Sequence, residues 1–448
     1  MSPVAQAVLA SWSFPTLATA LGLLTALLYL RGWLDLRAAA PTRFTVPRLG
    51  SFLSGLAILE IALASPIDAF DPFFLADHMF QHMLLMMVVP PLLFLGDPEI
   101  PLLRGLPRWV SQRVWGPLLV SRPMRRIRDG LAHPAVCWLI LAVAMIGWHL
   151  PAAYERALHS SGWHELEHIC FLLASTLFWW PVIQPWPSRS RWPRWTMVIY
   201  LLLADFVNSI LSAFLVFSDR VLYPSYLTVP RLWGISAQND QVAAGAIMWI
   251  LGSFAFLIPA VLITVKLLSP RPPEARSVPV PSEVGAKRSL VGALALVLPV
   301  LALAYGWLVP DATDIDEATV RLARTSGPFR VSIFAPADPV ESGPLDVSVL
   351  VQDAHSEEPI LDADVNIAVQ PSGGETTLTH ATHRQSVNKL LASATAQLAP
   401  SVAWKLDVLV RRGSQEAALS AMLHTSSGGS EHLALPSDPA AMAGDSAR

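Results

Sequence analysis

Two pairs of histidines set four residues apart, His78/His82 and His164/His168, concentrate the chemistry of this sequence. Residues at i and i+4 share a helix face, about 6 Å apart along the axis at 1.5 Å per residue. Two such pairs at one depth can therefore converge on one ion, or on one flat cofactor held between helices. Imidazole suits copper, zinc and iron, and thioether favours Cu(I). Met79 and Met83, followed by Met86 and Met87, run beside the first pair, although methionine at this spacing is also ordinary packing filler. His149, in Trp148-His149-Leu150-Pro151, is a further candidate donor, whereas His159 reads as a polar anchor at an interface. The second pair also satisfies H-E-x-x-H through Glu165, the pattern in which two imidazoles hold zinc beside a general-base glutamate. The competing reading of either pair is interfacial histidine bonded to carboxylates. Cys137 and Cys170 are too far apart to form a Cys-x-x-Cys redox or zinc site.

The elements that must position these residues are membrane helices. Of the 448 residues, 53% are hydrophobic and 15% charged, against roughly a quarter charged in soluble domains. Mean hydropathy is +0.46. A soluble fold of this length could not hide that much apolar surface, and a net charge of −3 excludes a strongly basic nucleic-acid binder. A spanning helix needs about 20 mostly apolar residues. Eight runs qualify, near 13–33, 49–65, 75–95, 134–151, 164–184, 195–217, 239–266 and 289–309, the second of them short and ended by Pro66. No Lys or Arg precedes the first run, so it lacks a signal peptide's charged start and is expected to stay in the mature protein.

Basic residues alternate between the intervening loops. The first loop carries Arg37, Arg43 and Arg48, and the second, around Asp68 and Asp71, carries none. The third is arginine-rich from Arg104 to Arg128, and the fourth has only Arg156. Arg189, Arg191 and Arg194 mark the fifth, Arg220 and Arg231 the sixth, and Lys266, Arg271, Arg276, Lys287 and Arg288 the seventh. Lys and Arg collect on the cytoplasmic side, so the odd-numbered loops are expected inside and both chain ends outside. Six histidines (78, 82, 149, 159, 164 and 168) then fall at the outer surface on three helices, with His133 on the cytoplasmic side. Ionisable residues inside spans are costly and point to function.

Other polar residues interrupt the apolar runs: Glu60, Asp205, Asn208 and the stretch Gln238-Asn239-Asp240-Gln241. Asn239 or Asp240 suits a helix N-cap, and Asp240 or Gln241 could instead orient a ligand imidazole. Gly245 reads as a site of close helix approach. The chain divides into a seven-span membrane part at 1–270, a cytoplasmic loop at 271–288, the eighth helix at 289–309, an acidic linker at 310–326, an outer β-sandwich at 327–425 and a disordered tail at 426–448. The sandwich rests on alternating runs at Phe329–Phe334, Leu345–Val351, Val365–Val369 and Trp404–Val410, separated by Gly- and Pro-rich turns. His355, His380, His383 and His424 in it read as ordinary surface histidines.

The strings HMFQHMLLMMVVPPLLFLGDP (78–98), WHLPAAYERALHSSGWHELEHICFLLASTLFWWP (148–181) and DQVAAGAIMW (240–249) resemble the polytopic CtaG family of cytochrome c oxidase assembly factors. The resemblance covers roughly residues 10–270. It implies a role in producing active haem–copper oxidase in the bacterial plasma membrane, through copper, with oxidase subunits, other copper chaperones and membrane lipid as partners. His78, His82, His149, His164, Glu167, His168, Asp240 and Gln241 fall on its motif positions. The stretch from Gly343 to Val369 resembles YtkA/FixH-like immunoglobulin-type domains. The expectation is a non-enzymatic, all-α membrane bundle with a β-sandwich, holding copper on His78, His82, His149, His164 and His168 with Glu167, Asp240 and Gln241 orienting the rings. A bis-histidine haem protein, an intramembrane zinc protease using Glu165 and a copper transporter are the rival readings.

Overall fold

The computed structural model describes residues 1–115, 121–122, 130, 133–186, 192–269, 318–336, 343–371, 376–398 and 403–424. Each of the first seven apolar runs is helical. With two short helices between them, α5 (Glu99–Gly105) and α7 (Pro151–Leu158), they form α1 (Thr16–Ala39), α2 (Val46–Ala64), α3 (Leu75–Met83), α4 (Val89–Leu95), α6 (Pro134–Trp148), α8 (Ser161–Ile183), α9 (Arg194–Phe217) and α10 (Ala237–Leu268). Six helical segments are long and apolar enough to cross a bilayer, counting 75–95 as one. The 15-residue α6 would cover only about 22 Å, short of the roughly 30 Å hydrocarbon layer. It reaches spanning length only with α7, from which it is bent by 72°. Leu150 is extended and Pro151 opens α7, the conformation a residue before proline prefers. The eighth run at 289–309, the loop at 271–288 and the tail at 426–448 lie outside the described residues.

Between α3 and α4 the helix widens into a π-helical turn at Leu84–Val88. Pro90 and Pro91 have no N–H to give the carbonyls four residues earlier, and a wide turn is one way a helix absorbs such a defect. The carbonyl of Met86 is recovered by Trp179 on α8, whose Nε1 donates to it at 2.9 Å. This bond ties α8 to the helix bearing His78 and His82, just below the histidines. Small residues let other helices meet closely. A Cβ on Gly252 of α10 would lie 2.4 Å from Asn208 of α9, and one on Gly245 would lie 2.7 Å from Val216. Asn208 donates to the Met248 carbonyl at 3.2 Å and Ser253 to Asp205 at 2.7 Å. Glu60 accepts from Thr19 on α1. These intramembrane polar residues join helices. At the end away from the histidines, Asp97 gathers Arg43 at 3.0 Å, Arg48, and the Trp186 N–H at 2.9 Å.

The C-terminal region forms two four-stranded antiparallel sheets. The strands are β1 (Ala318–Ser326), β2 (Phe329–Pro336), β3 (Gly343–Asp353), β4 (Asp364–Pro371), β5 (Thr377–Ala381), β6 (Ala392–Leu398), β7 (Ala403–Arg412) and β8 (Gln415–His424). Their orders are β1-β2-β3-β6 and β5-β4-β7-β8. The four alternating runs lie within β2, β3, β4 and β7, whose inward residues, such as Val331, Val349, Ile367 and Val408, build the core between the sheets. Residues 318–326, expected to be linker, are instead edge strand β1, paired with β2. An edge strand can carry exposed polar and charged residues, which hid it from apolar alternation.

The sandwich packs onto the end of the bundle where α3 begins. Phe334, Leu350, Leu390 and Leu391 form a buried apolar cluster with Phe70, Phe73, Phe74 and Leu232. The helix α10 starts at this same end, where Asp240 meets Leu75, and runs 32 residues away from it. The described chain therefore leaves the far end at Ser269 and reappears at the near end at Ala318.

Trp179→Phe should lower unfolding free energy in detergent by about 1–3 kcal/mol, the cost of leaving the buried Met86 carbonyl without a donor. The exposed Trp109→Phe should stay within about 0.5 kcal/mol, so paired denaturation midpoints test the bond.

Candidate metal centre

The first amides of a helix have no acceptor within it. For α3 the acceptor comes from α10: Asp240 takes the Leu75 N–H at 2.9 Å and the Ala76 N–H at 3.0 Å. This cap from another helix fixes where α3 begins, and so the depth of His78 one turn later. Ser160, in extended conformation, leads into α8, whose first turns carry His164, Glu167 and His168.

Both i, i+4 pairs point into one volume. Ring centroids are 4.2 Å apart for His78/His82 and 4.3 Å for His164/His168. Across the helices they are 5.2 Å apart for His78/His164 and 5.3 Å for His82/His168. All four rings are buried. Glu167, also buried, faces the first pair, with Oε2 3.6 Å from His78 Nε2 and Oε1 4.0 Å from His82 Nε2. Asp71 Oδ2 lies 3.2 Å from His78 Nδ1 and 3.3 Å from His164 Nε2. With its proton on Nδ1, His78 donates to Asp71 and turns the Nε2 lone pair toward Glu167. Carboxylates orient metal-binding imidazoles in this way.

The donor atoms of His78, His82 and Glu167 all lie within 4.8 Å of one another, as do those of Asp71, His78 and His164. Donors on a four-coordinate ion with bonds near 2.0 Å sit roughly 3.3 Å apart, so a slight contraction would close either set. His78 Nε2, both ring nitrogens of His82, His168 Nε2 and Glu167 Oε2 are buried with no hydrogen-bond partner among the described residues. Buried polar atoms are almost always satisfied, and an ion bound here would satisfy several at once. The donor set fits a metal that accepts imidazole and carboxylate.

Aromatic rings wall the cluster: Tyr154 stands 5.1 Å from His78 and Phe171 4.7 Å from His82. The hydroxyls of Tyr154 and Tyr226 are 3.0 Å apart, and Tyr226 donates to the Asp71 carbonyl at 3.2 Å. Burial pushes the Tyr226 hydroxyl well above its ordinary value, so it remains a protonated donor. Arg231 donates to the Phe73 carbonyl at 3.0 Å and lies 3.6 Å from Asp240. Burial lowers the Arg231 guanidinium from its ordinary value, against the opposing pull of the Asp240 carboxylate.

Several expected roles differ. His149 lies one ring further out, 6.3 Å from Phe171, with Nδ1 on the Met145 carbonyl at 2.7 Å and its own carbonyl held by Tyr223 at 3.1 Å. Asp240 does not orient an imidazole; its oxygens serve the backbone of α3. Nor does Gln241, which accepts from Leu222 N–H at 2.7 Å and donates to the Leu215 and Arg220 carbonyls. Backbone groups at helix ends and loops compete for these side chains because little water reaches them. Glu167 faces two Nε2 atoms directly. Met79 and Met83 pack in the main apolar core. Glu165 is half-buried and belongs to neither donor group, and His159 is exposed with Nδ1 on the Glu155 carbonyl. In the sandwich, His380 pairs with Asp364 at 3.1 Å and His383 with the Leu391 carbonyl at 3.0 Å; none of its histidines joins a donor group among the described residues. Asp71 is the residue that sequence reasoning missed. It lies seven positions before His78 in a different element, and its only signal was an acidic residue in a loop without basic ones.

Asp240→Ala should destabilise the fold by about 1 kcal/mol through loss of the cap, and Asp240→Asn by less. Thermal melts of the two variants against the parent check the assignment.

The model of the cytochrome c oxidase caa3 assembly factor family matches residues 27–269, more than half of the chain. Uncharacterised proteins of Mycobacterium bovis and Mycobacterium tuberculosis are each 28% identical over 274 residues, 60% of this chain and 40% of theirs. An uncharacterised protein of Mycobacterium leprae is 25% identical over 261 residues, 58% of this chain and 39% of its own length. The chain thus aligns with about two-fifths of the length of these curated relatives. With the match running from α1 to the end of α10 and containing the whole histidine cluster, this chain belongs to the cytochrome c oxidase caa3 assembly factor family.

Proposed function

We propose that this membrane protein serves oxidase assembly by holding copper at the outer end of its bundle and passing it to a receiving oxidase subunit. The observation that carries the proposal is the set of buried, unsatisfied donors on His78, His82 and Glu167 that lie within 4.8 Å of one another, with the unpartnered Nε2 of His168 beside them. His78 and His82 supply imidazole nitrogen, Glu167 supplies carboxylate oxygen, and His164 and His168 complete the ring. Asp71 holds the His78 tautomer. His149, on the far side of Phe171, keeps an unpartnered Nε2 and serves as a transfer donor. Copper is the cargo here, and no covalent step is required of the protein. A donor set without thiolate suits transfer because it holds Cu(I) less tightly than a cysteine pair would.

The alternating basic loops support placing this end outside the bacterial plasma membrane, with N- and C-termini extracytoplasmic. Accordingly, the partners are cytochrome c oxidase subunits, copper chaperones that load the site, and surrounding lipid. Imidazoles packed 4.2–5.3 Å apart favour a small ion over a flat macrocycle between them.

The purified protein, loaded with copper and desalted, should retain stoichiometric metal and show no Soret band. The His78→Ala/His82→Ala pair should lose the copper, Glu167→Gln should weaken it by removing the ligand carboxylate, and Glu165→Gln should leave it unchanged. A double-alanine variant that binds copper as the parent does, and supports full oxidase activity under copper limitation, would overturn the proposal.

A further inference from the structure

We infer that the β-sandwich is a clamp that sets Asp71, and through Asp71 the metal affinity of the histidine cluster. This inference rests on the copper reading above.

Asp71 lies just beyond a five-residue helix, Pro66–Phe70, in the segment leading to α3. A helix that short cannot hold itself together, so contacts from elsewhere must fix the position of Asp71. The bundle supplies two, with Tyr226 donating to the Asp71 carbonyl at 3.2 Å and Gln81 to Asp68 at 2.8 Å, and the sandwich supplies the contacts on either side. Asn388 donates to the Ala69 carbonyl at 3.0 Å, two residues before Asp71. Gln352 donates to the Arg231 carbonyl at 2.8 Å, and Arg231 in turn donates to the Phe73 carbonyl, two residues after Asp71. Phe73 packs its ring 5.8 Å from Phe334 of β2. Phe70 and Phe74 on either side are buried in the same cluster with Leu350, Leu390 and Leu391. The carboxylate is thus bracketed by bonds that lead to the sandwich, while it points the other way at His78 and His164. Releasing the sandwich leaves the segment held by Tyr226 and Gln81 alone, loosens Asp71 on His78 Nδ1, and weakens the proton acceptor that aims Nε2 at the ion. A receiving partner that binds the sandwich can thereby loosen the cargo without touching the histidines.

The test measures copper(I) binding to the full-length protein in detergent by competition with a chromophoric chelator, and the visible spectrum of the cobalt(II) form. Leu391→Asp/Asn388→Ala undocks the sandwich through a segment between strands. It should weaken copper(I) about 10- to 100-fold, the range for losing a carboxylate behind a metal-bound imidazole. Asp71→Asn should weaken it equally, with the same altered cobalt spectrum, and combining the two should add no further loss. Asn388→Ala alone should shift affinity in the same direction by less, and only while Asp71 is present. Parental affinity in the undocked variant, or losses that multiply with Asp71→Asn, would overturn the clamp. A parent chain that binds no copper would overturn the underlying copper reading, and the clamp with it.

Discussion

Four imidazoles and two carboxylates are buried together near an end of this bundle, and much of the surrounding structure follows from that. A polar group withdrawn from water without a partner costs several kcal/mol, and a bundle in lipid offers few alternative partners. Asp71 and Glu167 lie beside His78 on opposite ring nitrogens, so each carboxylate has imidazole neighbours and the rings adopt defined orientations. The four rings meet in the middle with donors left over.

The helices around it hold that geometry by unusual means. The depth of α3 is fixed by a carboxylate from α10 at its first turn. Its lower half breaks at a proline pair, and the break is closed by an indole from α8. Both contacts come from outside the helix they stabilise, so His78 and His82 are positioned by the assembled bundle. At the opposite end, Asp97 draws two arginines and a backbone amide into one knot, which anchors the arginine-rich side without involving the histidines.

The third apolar cluster, between sandwich and bundle, links two units that each have their own core. It is built from aromatic residues that follow the second span, Phe70, Phe73 and Phe74. They flank Asp71 in sequence, so the cluster lies beside the buried carboxylate.

Helix positions were readable from sequence because a lipid-facing backbone must satisfy itself, so long apolar runs have one solution. The histidine pairs were readable because i, i+4 spacing places them on one face whatever the fold. Strands β2, β3, β4 and β7 showed their alternation, whereas β1, β5, β6 and β8 did not stand out from it. Only the tertiary structure decided that the two faces meet, that Glu167 looks at His78 and His82, and that Asp71 completes the cluster from another element. It also turned Asp240 and Gln241 from expected partners of imidazole into partners of backbone. The physical reason is range: periodicity reports which residues share a surface of one element, while hydrogen-bond partners are chosen by whatever unsatisfied group folding brings within 3 Å.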